Sequence, residues 1–228
     1  MRVQKEIWQK EHETAATLPN HAASEPSKAV VWFVEKLNEL NVKLEGNALD
    51  VGCGKGRNTI YLAKQGFTVN AMDYIPLALD TTKQFSIQEK LEDKVEVLEQ
   101  DLGKKWPFAT SYFDIAIDNY SSIDIEKLED RITCRNEMYR TLKKNGFGFA
   151  SVVSINDAFE KTCKHGLEKN SVYWPNDKFQ KDYDKNELRE WFEEIGFEVL
   201  EIKEVQRQVE KYGKKFTSTD YWAIFKKL

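Results

Sequence analysis

The chain has 228 residues, 41% of them hydrophobic and 32% charged, and a formal net charge of −4 at pH 7. That length and apolar content suffice for one sizeable core and read as a single globular domain. The acidic balance argues against a general nucleic-acid binder, whose affinity rests on basic surface, and no apolar run approaches the ~18 residues of a membrane-spanning helix.

The chain opens on Met1-Arg-Val-Gln-Lys-Glu-Ile-Trp8, which is polar and has no apolar core of a secretory signal. Cys53, Cys134 and Cys163 are widely spaced and form no Cys-x-x-Cys pair, the usage expected of reduced thiols in a cytoplasmic protein. Residues 5–14 predict a short helix, and Leu18-Pro-Asn-His-Ala-Ala-Ser24 a loop. Pro26 suits the first turn of a helix. Val30, Val31, Phe33, Val34, Leu37 and Leu40 follow at helical spacing, predicting a helix over 26–41.

Strands and helices then alternate. Strands are expected at 48–51, 68–72, 95–98 and 113–117, with helices at 57–65 and at 76–90, the second with proline in its first turn. A helix over 126–143 should stop at Lys143-Lys-Asn-Gly146, before a strand at 147–153. This βαβα order implies a mostly parallel sheet between helical layers. Residues 154–182 show no clean period and hold Trp174-Pro175. Beyond them the pattern gives a helix over 185–195, capped by Asp184 and ended by Gly196. A strand at 197–205, a charged turn at Lys211-Tyr-Gly-Lys-Lys215 and a strand at 220–225 follow. A strand pair joined by so short a connection should be antiparallel.

The richest stretch is Asn47-Ala-Leu-Asp-Val-Gly-Cys-Gly-Lys-Gly56, an apolar strand running into three alternating glycines. Glycine lets backbone approach a ligand closely and permits positive φ. The next strand, in Gly66-Phe-Thr-Val-Asn-Ala-Met-Asp73, ends on a carboxylate that can accept from both hydroxyls of a ribose. A dinucleotide site needs Gly-x-Gly-x-x-Gly facing a pyrophosphate. Here Arg57 stands where its third glycine belongs, and Asp50 would repel a pyrophosphate but suits an amino group.

The pattern Asp-x-Gly-x-Gly-x-Gly, with Asp73 on the following strand, resembles the class I S-adenosylmethionine-dependent methyltransferases. Gly56-Arg57-Asn58, Tyr61-Leu62-Ala63 and the Gly-x-x-Val-x-Ala-x-Asp ending at Asp73 are most similar to the tellurite-resistance and thiopurine-type members, which act on small molecules. The resemblance spans residues 45–228. It implies a Rossmann-like, seven-stranded, mostly parallel sheet with an antiparallel last strand inserted beside the fifth, and helices on both faces. It also implies S-adenosyl-L-methionine as cofactor, S-adenosyl-L-homocysteine as product, and methyl transfer to a small-molecule acceptor by in-line displacement.

By the same resemblance Asp50 holds the cofactor's amino group, and Gly52, Gly54 and Gly56 let backbone curve beneath its methionine and ribose. Asp73 takes the ribose hydroxyls and Tyr74 packs beside the adenine. Asp101 accepts from the adenine amino group and Leu102 offers a backbone N–H. Asp118, at the tip of the fourth strand, lies next to the methyl group and is the candidate proton acceptor. Bland readings exist beside these: Asp50 as a turn residue, Asp73 as a helix cap, Asp101 as a loop residue and Asp118 as a polar strand end. No metal is expected, since His165 and Cys163 alone lack ligands; His12, His21 and His165 read as surface histidines.

The whole chain reads as one domain. Residues 1–40 form an N-terminal helical lid and residues 155–183 a substrate-cap insertion, placing Trp8, Tyr120, Tyr173 and Trp174 against the acceptor. Alternatives are a protein methyltransferase and a non-catalytic S-adenosylmethionine-binding protein. A nucleic-acid acceptor is not expected, because Asp118-Asn-Tyr-Ser121 stands where amino-methylating nucleic-acid enzymes carry Asn/Asp-Pro-Pro-Tyr/Phe.

Overall fold

The computed structural model describes residues 3–14 and 25–228. The loop expected at 18–24, and His21 with it, lie outside the described residues. In chain order the elements are α1 (Val3–Thr14), α2 (Lys28–Glu39), β1 (Asn47–Val51), α3 (Arg57–Gln65), β2 (Thr68–Asp73), α4 (Pro76–Gln88), β3 (Val95–Glu99) and β4 (Phe113–Asn119). They continue with α5 (Leu128–Thr141), β5 (Leu142–Val153), β6 (Lys164–His165), β7 (Ser171–Tyr173), β8 (Phe179–Lys181), α6 (Lys185–Glu193), β9 (Phe197–Lys211) and β10 (Lys214–Lys227).

Seven strands form one sheet in the order β3-β2-β1-β4-β5-β10-β9. The five strands from β1 to β5 pair in parallel, whereas β10 runs antiparallel to both β5 and β9. This is the Rossmann-like sandwich, with an antiparallel last strand beside the fifth, that the class I methyltransferase resemblance implies. Alternate residues of each strand serve opposite faces, as the pleat requires. Ala48, Ile115, Phe149 and Ile224 pack with Phe33 and Leu37 of α2 and Leu62 of α3. Their neighbours Leu49, Ala116, Ala150 and Phe225 pack with Met138 of α5 and Phe192 of α6.

Several boundaries differ from expectation for local reasons. Helix α2 is capped by Ser27, whose side chain accepts from the Ala29 N–H, so Pro26 precedes the cap instead of entering the first turn. Helix α5 stops at Thr141, not at Gly146, and Leu142 is already in β5. The run Lys143-Lys-Asn-Gly146 is a bulge inside β5: Phe113 pairs with Leu142, yet two residues later Ile115 pairs with Phe147. Asn145 there takes φ 64°, so the left-handed residue belongs to a bulge and not to a helix end. The final hairpin runs much farther than expected, from Phe197 to Lys227, around Tyr212 (φ 52°) and Gly213 (φ 71°).

Residues 154–182, which carry no readable period, hold a separate small antiparallel sheet in the order β6-β7-β8. Each of its strands has only two or three residues, too few for alternation to show. Gln4 ties helix α1 to this cap: its Nε2 donates to the Asp177 carbonyl and its Oε1 accepts from the Phe179 N–H, both at 3.1 Å.

Candidate active site

Strand order reverses between β1 and β4, and in open α/β sheets the crevice beyond the carboxyl ends at such a point is where ligands bind. Asp50 and Val51 of β1 lie beside Ile117 and Asp118 of β4. Asp50 is buried and accepts a 2.6 Å hydrogen bond from Thr59 Oγ1. Burial pushes its carboxyl up to about 7 against that hydrogen bond, with Asp73 adding to the rise and Arg57 opposing it. A cationic group beside such a carboxyl would favour its charged form.

The three glycines after β1 do different work. Gly54 has φ 55°, and among the described residues a Cβ built there would meet only the His12 ring, at 3.6 Å. This is an open cradle roofed by α1. Gly56, at φ 83°, is the left-handed N-cap of α3, and a Cβ there would strike Thr82 of α4 at 2.6–2.9 Å. One glycine thus leaves room for a ligand, and the other for a helix.

Asp73 ends β2 buried, with Oδ2 accepting from the Gly54 N–H at 2.9 Å and Oδ1 from the Ile75 N–H at 3.0 Å. Burial raises its carboxyl and these N–H groups oppose the rise. It therefore braces the glycine turn at the end of β2. Tyr74 follows, with Lys5 Nζ of α1 5.6 Å from its ring centre. Asp101 Oδ1 accepts from the Gly103 N–H at 3.0 Å, and the Leu102 side chain reaches toward Gly52.

Asp118 occupies the expected strand tip with a structural commitment. Its Oδ1 accepts from the Ser121 and Ser122 N–H groups at 2.9 and 3.1 Å, fastening the 3₁₀ turn Ser122–Asp124 to the end of β4. Tyr120, between β4 and this turn, takes φ 67°, a conformation costly for a non-glycine residue. Arg207 Nη2 lies 3.5 Å from its hydroxyl and 3.1 Å from Asp220, which is fully buried on β10.

The expected acceptor-facing aromatics divide. Trp8, on the inner face of α1 with His12, has Lys178 Nζ 4.8 Å from its ring. Trp174 lies in the core of the cap against Phe159, with the buried Lys178 Nζ 3.5 Å from its indole ring. Tyr173 is tied outward, donating to Glu126 Oε1 at 2.7 Å. His165 is exposed on β6, and among the described residues no group of three or more His, Cys, Asp or Glu could hold a metal ion. His12 is not a surface histidine: it is buried over Gly54, and burial, with Lys55 nearby, lowers it to about 4. Sequence reasoning also missed Gln4, Asp124, Lys178 and Asp220. Only Asp124 had a signal, as an acid five residues beyond the β4 tip.

Residues 48–146 match the family model described as a methyltransferase domain. Over 79 residues, 35% of this chain, the sequence is 28% identical to the 2-heptyl-1-hydroxyquinolin-4(1H)-one methyltransferase of Mycobacteroides abscessus. The match spans 33% of that protein's length, and a second curated relative is matched over 27% of its own. Among solved structures, a SAM-dependent methyltransferase of Methanosarcina mazei superposes with a TM-score of 0.71 at 19% identity, covering 84% of this chain and 97% of that one. The 1,6-didemethyltoxoflavin-N1-methyltransferase of Burkholderia thailandensis, solved with its substrate and S-adenosylhomocysteine, gives a TM-score of 0.69 at 16% identity, covering 98% and 87%. At such identities the likeness is one of fold.

Proposed function

We propose, from a methyltransferase-domain match carried on the class I methyltransferase fold, that this chain binds S-adenosylmethionine and methylates a small molecule. The observation that carries the reading is the buried constellation of Asp50, the open Gly54 cradle and Asp73 at the switch point of the sheet. When bound, the cofactor supplies a methyl group already activated by a sulfonium. Asp50 would hold its amino group, Asp73 its ribose hydroxyls, and Tyr74, Asp101 and Leu102 its adenine. Residues of this chain then have to orient the acceptor and exclude water, because proximity and orientation supply much of the rate.

A small acceptor is supported by steric closure. Helix α1 covers the glycine turn through His12 and is clamped to the cap through Gln4, leaving a roofed site and not an open groove. The two named relatives act on a hydroxyquinolone and on didemethyltoxoflavin, and a flat nitrogen heterocycle of that kind is the acceptor class we favour. The Gly56-Arg57-Asn58 run keeps the tellurite-resistance and thiopurine-type group as the nearest subgroup. A cytoplasmic location and the absence of a nucleic-acid partner belong to the same proposal.

Calorimetry with S-adenosylhomocysteine tests the cofactor assignment. Binding to the wild type and its loss in Asp73→Ala are expected, since the variant leaves ribose hydroxyls unpaired. Binding of NADH in place of S-adenosylhomocysteine would overturn the reading. An S-adenosylhomocysteine-release assay over phenol, heterocyclic N–H, thiol, selenide and carboxylate acceptors then identifies the acceptor class.

A further inference from the structure

One buried ion pair near the β4 tip is incomplete. The side chains of Lys178 and Asp124 are only 5% and 10% exposed, and Lys178 Nζ lies 3.9 Å from Asp124 Oδ1. An ammonium–carboxylate hydrogen bond closes to ~2.7–2.9 Å, so the two charges face each other without bonding. Asp124 Oδ1 has no hydrogen-bond partner. Lys178 Nζ instead meets the indole faces of Trp174 at 3.5 Å and Trp8 at 4.8 Å. Buried charges left short of hydrogen bonds are costly, and a pair selected for stability would close.

Both partners are held in place from behind. Asp124 ends the 3₁₀ turn that Asp118 fastens to β4. Lys178 directly precedes β8, at the point where Gln4 of α1 grips Asp177 and Phe179. The charged groups facing Asp124 are Lys178, Glu160, Asp118 and Lys211; those facing Lys178 are Asp124, Glu160, Lys211 and, from α1, Glu11. Burial pushes Asp124 up to about 7, with Lys178 the main opposing influence, and burial lowers Lys178. A carboxyl half-ionised near neutrality suits proton acceptance.

We propose that Asp124 and Lys178 form the acceptor's proton site: an O–H or N–H of the acceptor lies between them, donating to Asp124 and accepting from Lys178. The inference rests on the methyltransferase reading and deepens it. The acceptor's O–H or N–H bond breaks and its proton passes to Asp124. The electron pair freed on the oxygen or nitrogen forms the bond to the methyl carbon, the pair of the broken carbon–sulfur bond stays on sulfur, and one positive and one negative charge vanish together. Asp118 is then a positioning residue, acting through the turn. Thiolates, selenides and halides need no such site, so the pair selects acceptors that carry an acidic proton.

The test is fragment binding to the S-adenosylhomocysteine complex, read by calorimetry, with phenol and 2-pyridone as probes and anisole and benzoate as controls. At pH 8, phenol and 2-pyridone should bind at least tenfold more tightly than either control. Asp124→Asn and Lys178→Met should each weaken phenol at least tenfold while leaving S-adenosylhomocysteine affinity within twofold. Wild-type phenol affinity should also fall about tenfold from pH 8 to pH 6 and stay flat in Asp124→Asn, as one carboxyl titrating near 7 requires. Equal phenol affinity in wild type and Asp124→Asn, preference for benzoate, or no binding by any probe would each overturn the proposal. Should Asp124→Asn fail to fold, the wild-type pH profile decides, and a flat profile overturns it. Failure of S-adenosylhomocysteine to bind the wild type would instead overturn the methyltransferase reading itself.

Discussion

Under the proposed function, Asp50 is the residue whose ionisation a bound amino group would change directly. Buried near Asp73 and Asp118, it sits at about 7. An arriving ammonium group favours its charged form and so pulls it down. Binding near pH 6.5 should therefore release a proton. Calorimetry of S-adenosylhomocysteine in buffers of different ionisation enthalpy measures this directly: up to one proton released in the wild type, and none in Asp50→Asn. Equal release from both would remove Asp50 from the amino site. At this scale the sequence exposed what depends on strand tips. Asp50, Asp73 and Asp118 all fall where β1, β2 and β4 end. It could not expose side chains delivered from afar: Lys178 reaches Asp124 from 54 positions away, through a cap with no readable pattern.

At the scale of elements, alternation and glycine stops were enough to place α3 to the residue and every strand of the main sheet. What failed was local competition. Lys143-Lys-Asn-Gly146 has the composition of a helix stop, but the preceding chain is already paired with Phe113, and the run bulges out of β5 instead. The α6 cap was legible because its chemistry is local: Asp184 Oδ1 accepts from the Asn186 and Glu187 N–H groups at 2.8 and 2.9 Å. Asp184→Ala should cost about 1 kcal/mol, a fall of roughly 2–4 °C in Tm for a domain of this size, without altering ligand affinity. Helix α1 makes the opposite kind of contribution. Gln4→Ala removes both hydrogen bonds to the cap while leaving the main sheet untouched. Because α1 also roofs Gly54, the lid should govern cofactor exchange as well as acceptor placement. Stopped-flow dissociation of S-adenosylhomocysteine should be several-fold faster in Gln4→Ala than in wild type; an unchanged rate would mean that α1 does not gate the site.

Across the whole molecule, raised carboxyls gather at one edge. Burial, the leading cause in each case, pushes Asp50 and Asp124 up to about 7 and Asp220 to about 6, and raises Asp73, Asp118, Asp182 and Glu160. All lie at the strand tips or beneath the cap, whereas Leu49, Phe149 and Phe225 fill the opposite depth of the sandwich with apolar contact. Unfolded aspartate titrates near ~3.9, so between about pH 4 and pH 7 the folded chain binds more protons than the unfolded one. Stability must then fall as pH rises through that window. His12 works against this, because its lowered value of about 4 makes folding more favourable as pH rises toward 6.5, but it is one group against several. Thermal unfolding of the free protein should therefore give a higher Tm at pH 5 than at pH 8. Added S-adenosylhomocysteine should raise Tm more at pH 8, where Asp50 is already ionised for an ammonium group. A free-protein Tm that is flat or rises across this range would show that these carboxyls are not buried in solution as they are here. The trade has a physical logic: destabilising acids are tolerated where a ligand relieves them, and the apolar sandwich behind them carries the fold.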